Sequence, residues 1–175
     1  DSFDTFLREA RLNARLEHPN IIKVHDLGVL QGRPFFSMEL KPGLTLGSIL
    51  DDLKNSEKRE DYPLEKRLEI FLKICDAVAY AHSRQVIHQD LKPDNIQVGD
   101  YGEVLVCDWG LGKVLTENHD DSNLLSTDPE LLSEVTLIGE IKGTPGYMAP
   151  EQAGEDWEKG PWTDVYALGA ILYSI

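Results

Sequence analysis

The residues between 86 and 110 include a dense group of side chains that could act on a phosphorylated compound. Asp90, Lys92 and Asn95 lie in one polar stretch, and Asp108 follows the next apolar run. Carboxylate and amide oxygens are ligands that Mg²⁺ prefers, and Mg²⁺ takes its other ligands from phosphate and water. A lysine beside such a site can neutralise charge on a phosphoryl group during transfer. The residue types therefore favour phosphoryl transfer, which depends on positioning and electrostatics.

Two short strands must bring these side chains together. Residues 96–98 and 103–107 have the composition of strands, and the turn sequence Gly-Asp-Tyr-Gly separates them at 99–102. A hairpin places its two ends side by side, so we expect Asn95 and Asp108 to lie close in space.

The remaining pattern predicts helices and strands in both halves of the chain. The predicted helices cover 3–16, 44–53, a long segment from Pro63, and 163–175. The predicted strands cover 21–30 and 35–40, with a turn at 31–34 between them. On the long helix, one apolar stripe is predicted to face the core: Leu64, Leu68, Phe71, Leu72, Cys75, Val78, Ala79 and His82.

Composition limits the classes of function. The chain has 175 residues, 41% of them hydrophobic, which is enough for one packed domain. A net charge of −14 argues against binding to nucleic acid or anionic lipid. Two cysteines without CxxC spacing argue against a zinc site and favour a reducing, cytoplasmic location. No apolar run reaches the ~18 residues of a membrane span, although parts outside this chain could tether it to a membrane. Both ends fall inside helix-like patterns, so we expect a piece of a longer protein.

Three motifs in this order resemble those of protein kinases, most closely the bacterial-type serine/threonine kinases. The first is His-Gln-Asp-Leu-Lys-Pro-Asp-Asn at 88–95, the second is Asp-Trp-Gly at 108–110, and the third is Gly-Thr-Pro-Gly-Tyr-Met-Ala-Pro-Glu at 143–151. The resemblance implies an α+β, bilobal fold. Residues 1–40 would form a truncated small β lobe with helix C and the start of the hinge, and 41–175 would form part of a mainly helical large lobe.

The resemblance assigns the catalytic roles residue by residue. Asp90 matches the aspartate that orients the substrate hydroxyl and accepts its proton, and Lys92 matches the lysine that contacts the γ-phosphate. Asn95 and Asp108 match the Mg²⁺ ligands. Thr144 matches a threonine that contacts the catalytic aspartate and lysine, as in serine/threonine kinases.

The resemblance also assigns residues that support the nucleotide or the loop. Glu9 matches the helix-C glutamate that pairs with a strand lysine, and Met38 falls at the gatekeeper position. The hinge would run from Glu39 to Lys41 and bind adenine through its backbone. Gln97 falls on the adenine floor, and Asp164 matches the helix-F aspartate that braces the catalytic loop.

Three residues depart from the family pattern, and one of them is Gln97, which falls where the adenine floor is usually apolar. Gln89 stands where an arginine usually binds an activation-loop phosphate, and glutamine has no charge for that contact. We therefore expect activation that does not depend on a phosphate held there. Trp109 replaces phenylalanine, and we expect its ring to fill the same apolar slot.

Three functions stay open from the sequence. The first is an active serine/threonine kinase that uses ATP and Mg²⁺ on a protein substrate. The second is a pseudokinase or docking module, which Gln89, Gln97 and the lack of a Gly-rich loop and strand lysine before Glu9 motivate. The third is a small-molecule kinase, which the peptide-platform motif at 143–151 disfavours.

Overall fold

The computed structural model describes residues 16–30, 33–39, 42–55, 60–109, 113–114, 146–154 and 157–175. The helix predicted over 3–16 lies outside this part of the chain except for Leu16, and so does the predicted lobe boundary at residues 40 and 41. That division of the chain at 40/41 stays a prediction.

The described residues form helices and short strands, which confirms the predicted α+β class. The helices are α1 (Leu46–Lys54), α2 (Leu64–Ser83) and α3 (Pro161–Ser174). The strands are β1 (Val24–Leu30), β2 (Arg33–Met38), β3 (Gly43–Thr45), β4 (Val86–Ile87), β5 (Ile96–Gly99), β6 (Val104–Val106) and β7 (Lys113–Val114). Single 3₁₀ turns cover Pro93–Asn95 and Pro150–Gln152.

Strands β1 and β2 form the predicted antiparallel hairpin. Gly28 is paired with Phe35, and an irregularity in register lies between Val24 and Asp26. Ahead of the hairpin, Ile21 bridges to Val106 in parallel, and the N–H of Ile22 donates to the carbonyl of Val106. The hairpin is thereby attached to β6, next to the residues that carry the candidate site.

Strands β3, β5 and β6 form one antiparallel sheet, with β5 in the middle. The β5–β6 hairpin was predicted, but β3 was not, because residues 44 and 45 were assigned to a helix. Gly43 has φ of 148°, and a Cβ there would overlap the carbonyl oxygen of Val98, so only glycine permits this close pairing. The side chain of Thr45 then accepts a hydrogen bond from the N–H of Ser48 and starts α1.

The buried face of α2 differs from the predicted stripe. Leu64, Leu68 and Leu72 are 51%, 39% and 62% exposed, and Ala79 is also exposed. The residues that face the core are Ile70, Ile74, Ala77, Val78 and Ala81. Apolar residues occur on two sides of this helix, so periodicity could not tell which side packs against the strands. The prediction is confirmed for Val78, which is buried, and for Phe71, which packs against the core. It was wrong for the three leucines and Ala79, because it chose the leucine side.

Helix α3 begins two residues earlier than predicted. Pro161 is its first residue and Gly160 is its N-cap. Proline suits a first helical position because the N–H that it lacks has no intrahelical partner there. Asp164 therefore lies within the first turn, where its carboxylate points to the loop that follows β4.

The core lies between the three helices and the strands that flank the polar loop. Ile74, Ile96, Trp109 and Ile171 are fully buried, and Leu91 of the polar loop itself is 2% exposed. The polar loop is thus fixed by its own buried residue, Leu91, and by the buried strands before and after it. Within the described ranges, no helix has the length and apolar content needed to cross a bilayer.

Candidate active site

A buried carboxylate on α3 holds the polar loop that follows β4. Asp164 is 1% exposed and accepts hydrogen bonds from the N–H groups of His88 and Gln89, each at 2.8 Å. Gln89 has φ of 69°, a left-handed conformation that costs free energy in a residue other than glycine. The two bonds to Asp164 stabilise that conformation, and they are the contacts that the resemblance implies for this residue.

The same carboxylate has a third partner that the sequence analysis did not identify. His82 Nε2 on α2 lies 2.7 Å from Asp164 Oδ2, and the His82 side chain is 17% exposed. The apolar stripe predicted for this helix includes His82, and the polar contact of His82 corrects that prediction. A buried carboxylate needs several donors to offset its lost hydration, and His82 is placed to be one of them.

His88 is a fully buried histidine with both ring nitrogens in use. Its Nε2 lies 3.0 Å from the carbonyl oxygen of Cys107, and its Nδ1 accepts the N–H of Asp90 at 3.2 Å. A carbonyl can only accept, so Nε2 carries the proton and the ring is neutral. Burial lowers the pKa of His88, against the opposing effects of Asp164 and other nearby groups, which agrees with a neutral ring. His88 therefore links the polar loop to the residue that follows β6, as a structural residue.

Asp90, Lys92 and Asn95 meet in one cluster. Lys92 Nζ lies 2.8 Å from Asp90 Oδ2, and Asn95 Nδ2 donates to the backbone oxygen of Asp90 at 2.9 Å and to Oδ2 at 3.3 Å. The Asp90 and Lys92 side chains are 13% and 21% exposed, and Asn95 is 8% exposed. Two side chains that follow closely in the sequence, those of Lys92 and Asn95, thus converge on the carboxylate of Asp90, which is still partly exposed.

The β5–β6 hairpin brings Asp108 beside this cluster. Ile96 is paired with Val106, and the N–H of Cys107 donates to the carbonyl of Asn95 at 2.9 Å. The predicted proximity of Asn95 and Asp108 is confirmed at the level of the backbone. Asp108 is exposed and has φ of 60°, a left-handed conformation. The chain therefore turns sharply two residues after the end of β6.

Trp109 fixes the residue after Asp108. Its indole is fully buried, lies 4.6 Å from the His88 ring between centroids, and donates from Nε1 to the carbonyl of Val106 at 3.4 Å. The expectation that this ring fills an apolar slot is confirmed. The indole also gains a hydrogen bond that phenylalanine could not make.

Cys107 lies between the hairpin and the cluster. Burial is the main cause that raises the pKa of its thiol to about 11, so the thiol is protonated at neutral pH. Its position beside Asp108 therefore adds no negative charge to the site.

The other predicted site residues are placed by different elements. Met38 ends β2 and is 48% exposed, and the N–H of Glu39 donates to the carbonyl of Lys23 at 3.1 Å. Gln97 lies half-buried on β5, opposite Thr45 and Leu105. Their predicted contacts with a nucleotide stay predictions.

Three further predicted residues, Glu9, Lys41 and Thr144, lie outside the described residues. Among the residues that the structure describes, no cluster of three or more His, Cys, Asp or Glu side chains could hold a metal ion. A Mg²⁺ ion that takes phosphate and water as most of its ligands does not require such a cluster.

One residue with polar contacts to the loop carried no signal in the sequence. Gln152 donates from Nε2 to the carbonyl of Gln89 at 2.6 Å and accepts the N–H of Ala149 at 3.0 Å. Neither residue type nor spacing distinguishes it from a surface glutamine.

Comparison with known proteins agrees with this geometry. The family model described as protein kinase domain matches residues 1–175. This chain belongs to the protein kinase family.

Curated relatives resemble this chain along nearly its whole length. The chain is 41% identical over 180 residues to a serine/threonine-protein kinase PknD of Protochlamydia amoebophila, with 97% of this chain and 18% of the relative covered. It is 38% identical to a PknD of Chlamydia pneumoniae and 40% identical to one of Chlamydia trachomatis serovar D, with 97% of this chain and 19% of each relative covered. The chain therefore spans about a fifth of the length of these relatives.

Proposed function

We propose that this chain carries the catalytic centre of a serine/threonine-protein kinase, which transfers the γ-phosphoryl group of ATP to hydroxyl groups of a protein substrate. The observation that supports this most directly is the convergence of Lys92 Nζ and Asn95 Nδ2 on the carboxylate of Asp90. The serine/threonine class and the protein substrate are proposed from the names of the relatives.

Asp90 is the proposed catalytic base. Both side-chain hydrogen bonds that it accepts within the described residues go to Oδ2. Oδ1 is therefore the oxygen that we assign to the substrate hydroxyl, which it orients and from which it accepts the proton. Lys92 and Asn95 keep the carboxylate in one rotamer while Oδ1 faces the substrate.

Asn95 and Asp108 are the proposed Mg²⁺ ligands. Asn95 Nδ2 is engaged by Asp90, so the side chain turns its carbonyl oxygen away from that bond. An amide oxygen and a nearby carboxylate are a donor set that suits Mg²⁺. When bound, Mg²⁺ would neutralise charge on the phosphates of ATP. Lys92, which is partly exposed, is proposed to contact the γ-phosphate.

The other predicted properties are retained as parts of this proposal. Met38, Glu39, Lys41 and Gln97 would contact the nucleotide. The strongly acidic composition still argues against a nucleic-acid partner. Placement in the cytoplasm stays a prediction from the cysteine content.

The test is phosphorylation of a generic basic protein by the full-length gene product, with radiolabelled ATP, with and without Mg²⁺. Asp90→Asn should lower kcat by about 10²- to 10⁴-fold, because loss of a general base typically has that effect. Its affinity for ATP should stay within about twofold, because Asp90 is assigned to the hydroxyl. Hydrolysis of the product should release phosphoserine or phosphothreonine.

Asp76→Asn is the matched control, because Asp76 is exposed on α2 and the chemical change is the same. It should leave kcat unchanged. Full turnover in Asp90→Asn would refute the role of Asp90. A wild type that binds partners but transfers no phosphoryl group would instead support the pseudokinase alternative. Transfer to small molecules alone would support the small-molecule kinase alternative.

A further inference from the structure

Gln152 connects the end of the third motif to the polar loop after β4, which contains Asp90. Its carboxamide uses both ends, since Nε2 donates to the carbonyl of Gln89 and Oε1 accepts the N–H of Ala149. Residues 150–152 form a 3₁₀ turn, and this short element carries the side chain. One side chain thus spans two segments that are 63 positions apart in the sequence.

The carbonyl that Gln152 contacts belongs to the residue directly before Asp90. Gln89 is strained at φ of 69°, and its N–H is already held by Asp164. Gln152 holds the other backbone polar group of the same residue. The N–H of Asp90, at the other side of the same peptide, donates to His88 Nδ1. Rotation of the peptide between Gln89 and Asp90 would break both bonds, and this peptide sets the direction of the Asp90 side chain.

The turn that carries Gln152 is itself fixed to α3. Glu151 accepts a hydrogen bond from Thr163 Oγ1 at 2.8 Å, and Thr163 is 1% exposed. The turn is therefore tied to α3 through Glu151 and to the catalytic loop through Gln152. A shift of the turn would therefore move or break the hydrogen bond between Gln152 and Gln89.

We propose that Gln152 is a positioning residue for catalysis, which keeps Asp90 in register with residues 146–152. The proposal rests on the proposed kinase function and adds a residue that positions its catalytic base. The link consists of an amide group and backbone groups, so it needs no charge and no phosphate. This link can therefore order the polar loop after β4 without a phosphate. That fits a chain in which position 89 holds glutamine where the family usually has a phosphate-binding arginine.

A simpler reading is that Gln152 only caps its own turn through Ala149. Two variants separate the roles because the carboxamide ends act on different partners. Gln152→Glu keeps an oxygen that can accept the N–H of Ala149 but has no donor for Gln89 at neutral pH. Gln152→Ala loses both contacts.

The test combines kinetics with amide exchange on the full-length gene product, at a temperature well below the melting point of every variant. In both variants kcat should fall about tenfold, the scale of a lost hydrogen bond at a group next to the base, while KM for ATP stays within about twofold. The exchange of the Ala149 amide should be slow in wild type and in Gln152→Glu but fast in Gln152→Ala.

Gln85→Glu is the matched control, since Gln85 is exposed in the turn after α2 and undergoes the same chemical change. It should leave kcat and KM unchanged. Wild-type kcat in Gln152→Glu would overturn the positioning role and leave the simpler cap. Equally slow exchange of Ala149 in Gln152→Ala would show that the bridge is absent. A wild type without turnover would overturn the proposed function and this role with it, whereas an active wild type with an active Gln152→Ala overturns this role alone.

Discussion

Replacing Asp164 with asparagine changes one buried atom from an acceptor into a donor and removes a negative charge. Oδ2 accepts the N–H of His88 and lies beside His82 Nε2, whereas Oδ1 accepts the N–H of Gln89. The least harmful orientation keeps the asparagine oxygen at the Oδ2 position, where it retains two partners. Its NH₂ group then faces the N–H of Gln89, and neither donor has an acceptor.

The magnitude follows from these contacts. Loss of one charge-assisted hydrogen bond costs about 1.5–3 kcal/mol, and leaving buried donors unsatisfied costs about 1–3 kcal/mol more. Some of that cost is relieved if Gln89 leaves its left-handed conformation. We therefore expect Asp164→Asn to lower the free energy of unfolding by about 3–5 kcal/mol. Because Gln89 directly precedes Asp90, phosphoryl transfer should be lost as well.

The measurement is urea unfolding of the full-length gene product at neutral pH, read with a probe in this domain, together with the phosphorylation assay. Asp100→Asn is the matched control, since Asp100 is exposed in the β5–β6 turn and should change stability by no more than about 0.5 kcal/mol. A change of less than about 1 kcal/mol for Asp164→Asn would refute the view that its carboxylate holds the loop.

Two further predictions follow from burial. His88 has a lowered pKa in the folded chain. Below the ordinary pKa of about 6.5, the unfolded chain therefore binds more protons than the folded chain. The free energy of unfolding should fall there by up to about 1.4 kcal/mol per pH unit as the pH is lowered. In an NMR titration the ring signals of His88 should not move between about pH 8 and about pH 6.5, and a midpoint in that range would contradict the neutral assignment. Ile74→Ala on α2 should cost about 2–5 kcal/mol of unfolding free energy because Ile74 is fully buried, whereas Leu72→Ala on the exposed side should cost less than about 1 kcal/mol. Equal costs in denaturant unfolding would contradict the face of α2 that the structure buries.

Local signals in the sequence predicted the parts of the site that are close along the chain. Asp90, Lys92 and Asn95 lie within six positions, so a short loop is enough to join them. The β5–β6 hairpin follows from two apolar runs and a turn with glycine at both ends, and it places Asp108 beside Asn95. These contacts depend on local chain geometry, which residue types and spacing encode.

Predictions failed where a residue's environment depended on a distant partner. The leucines of α2 have the spacing of a core stripe, yet Ile70 and Ile74 face the strands instead. His82 fits an apolar stripe by position but contacts Asp164 on another helix. Residues 44 and 45 were assigned to a helix because the pairing of β3 with β5 requires a glycine approach that spacing does not reveal.

The sequence by itself determined the motif residues, their order and the hairpin that joins Asn95 to Asp108. Only the tertiary structure decided how these residues are held in place, through Asp164 and Gln152, which bind backbone groups of the polar loop after β4 from 75 and 63 positions away. The physical reason is that backbone N–H and carbonyl groups are the same at every residue. A side chain that binds them leaves no pattern in the sequence around its target, and only folding brings the two together.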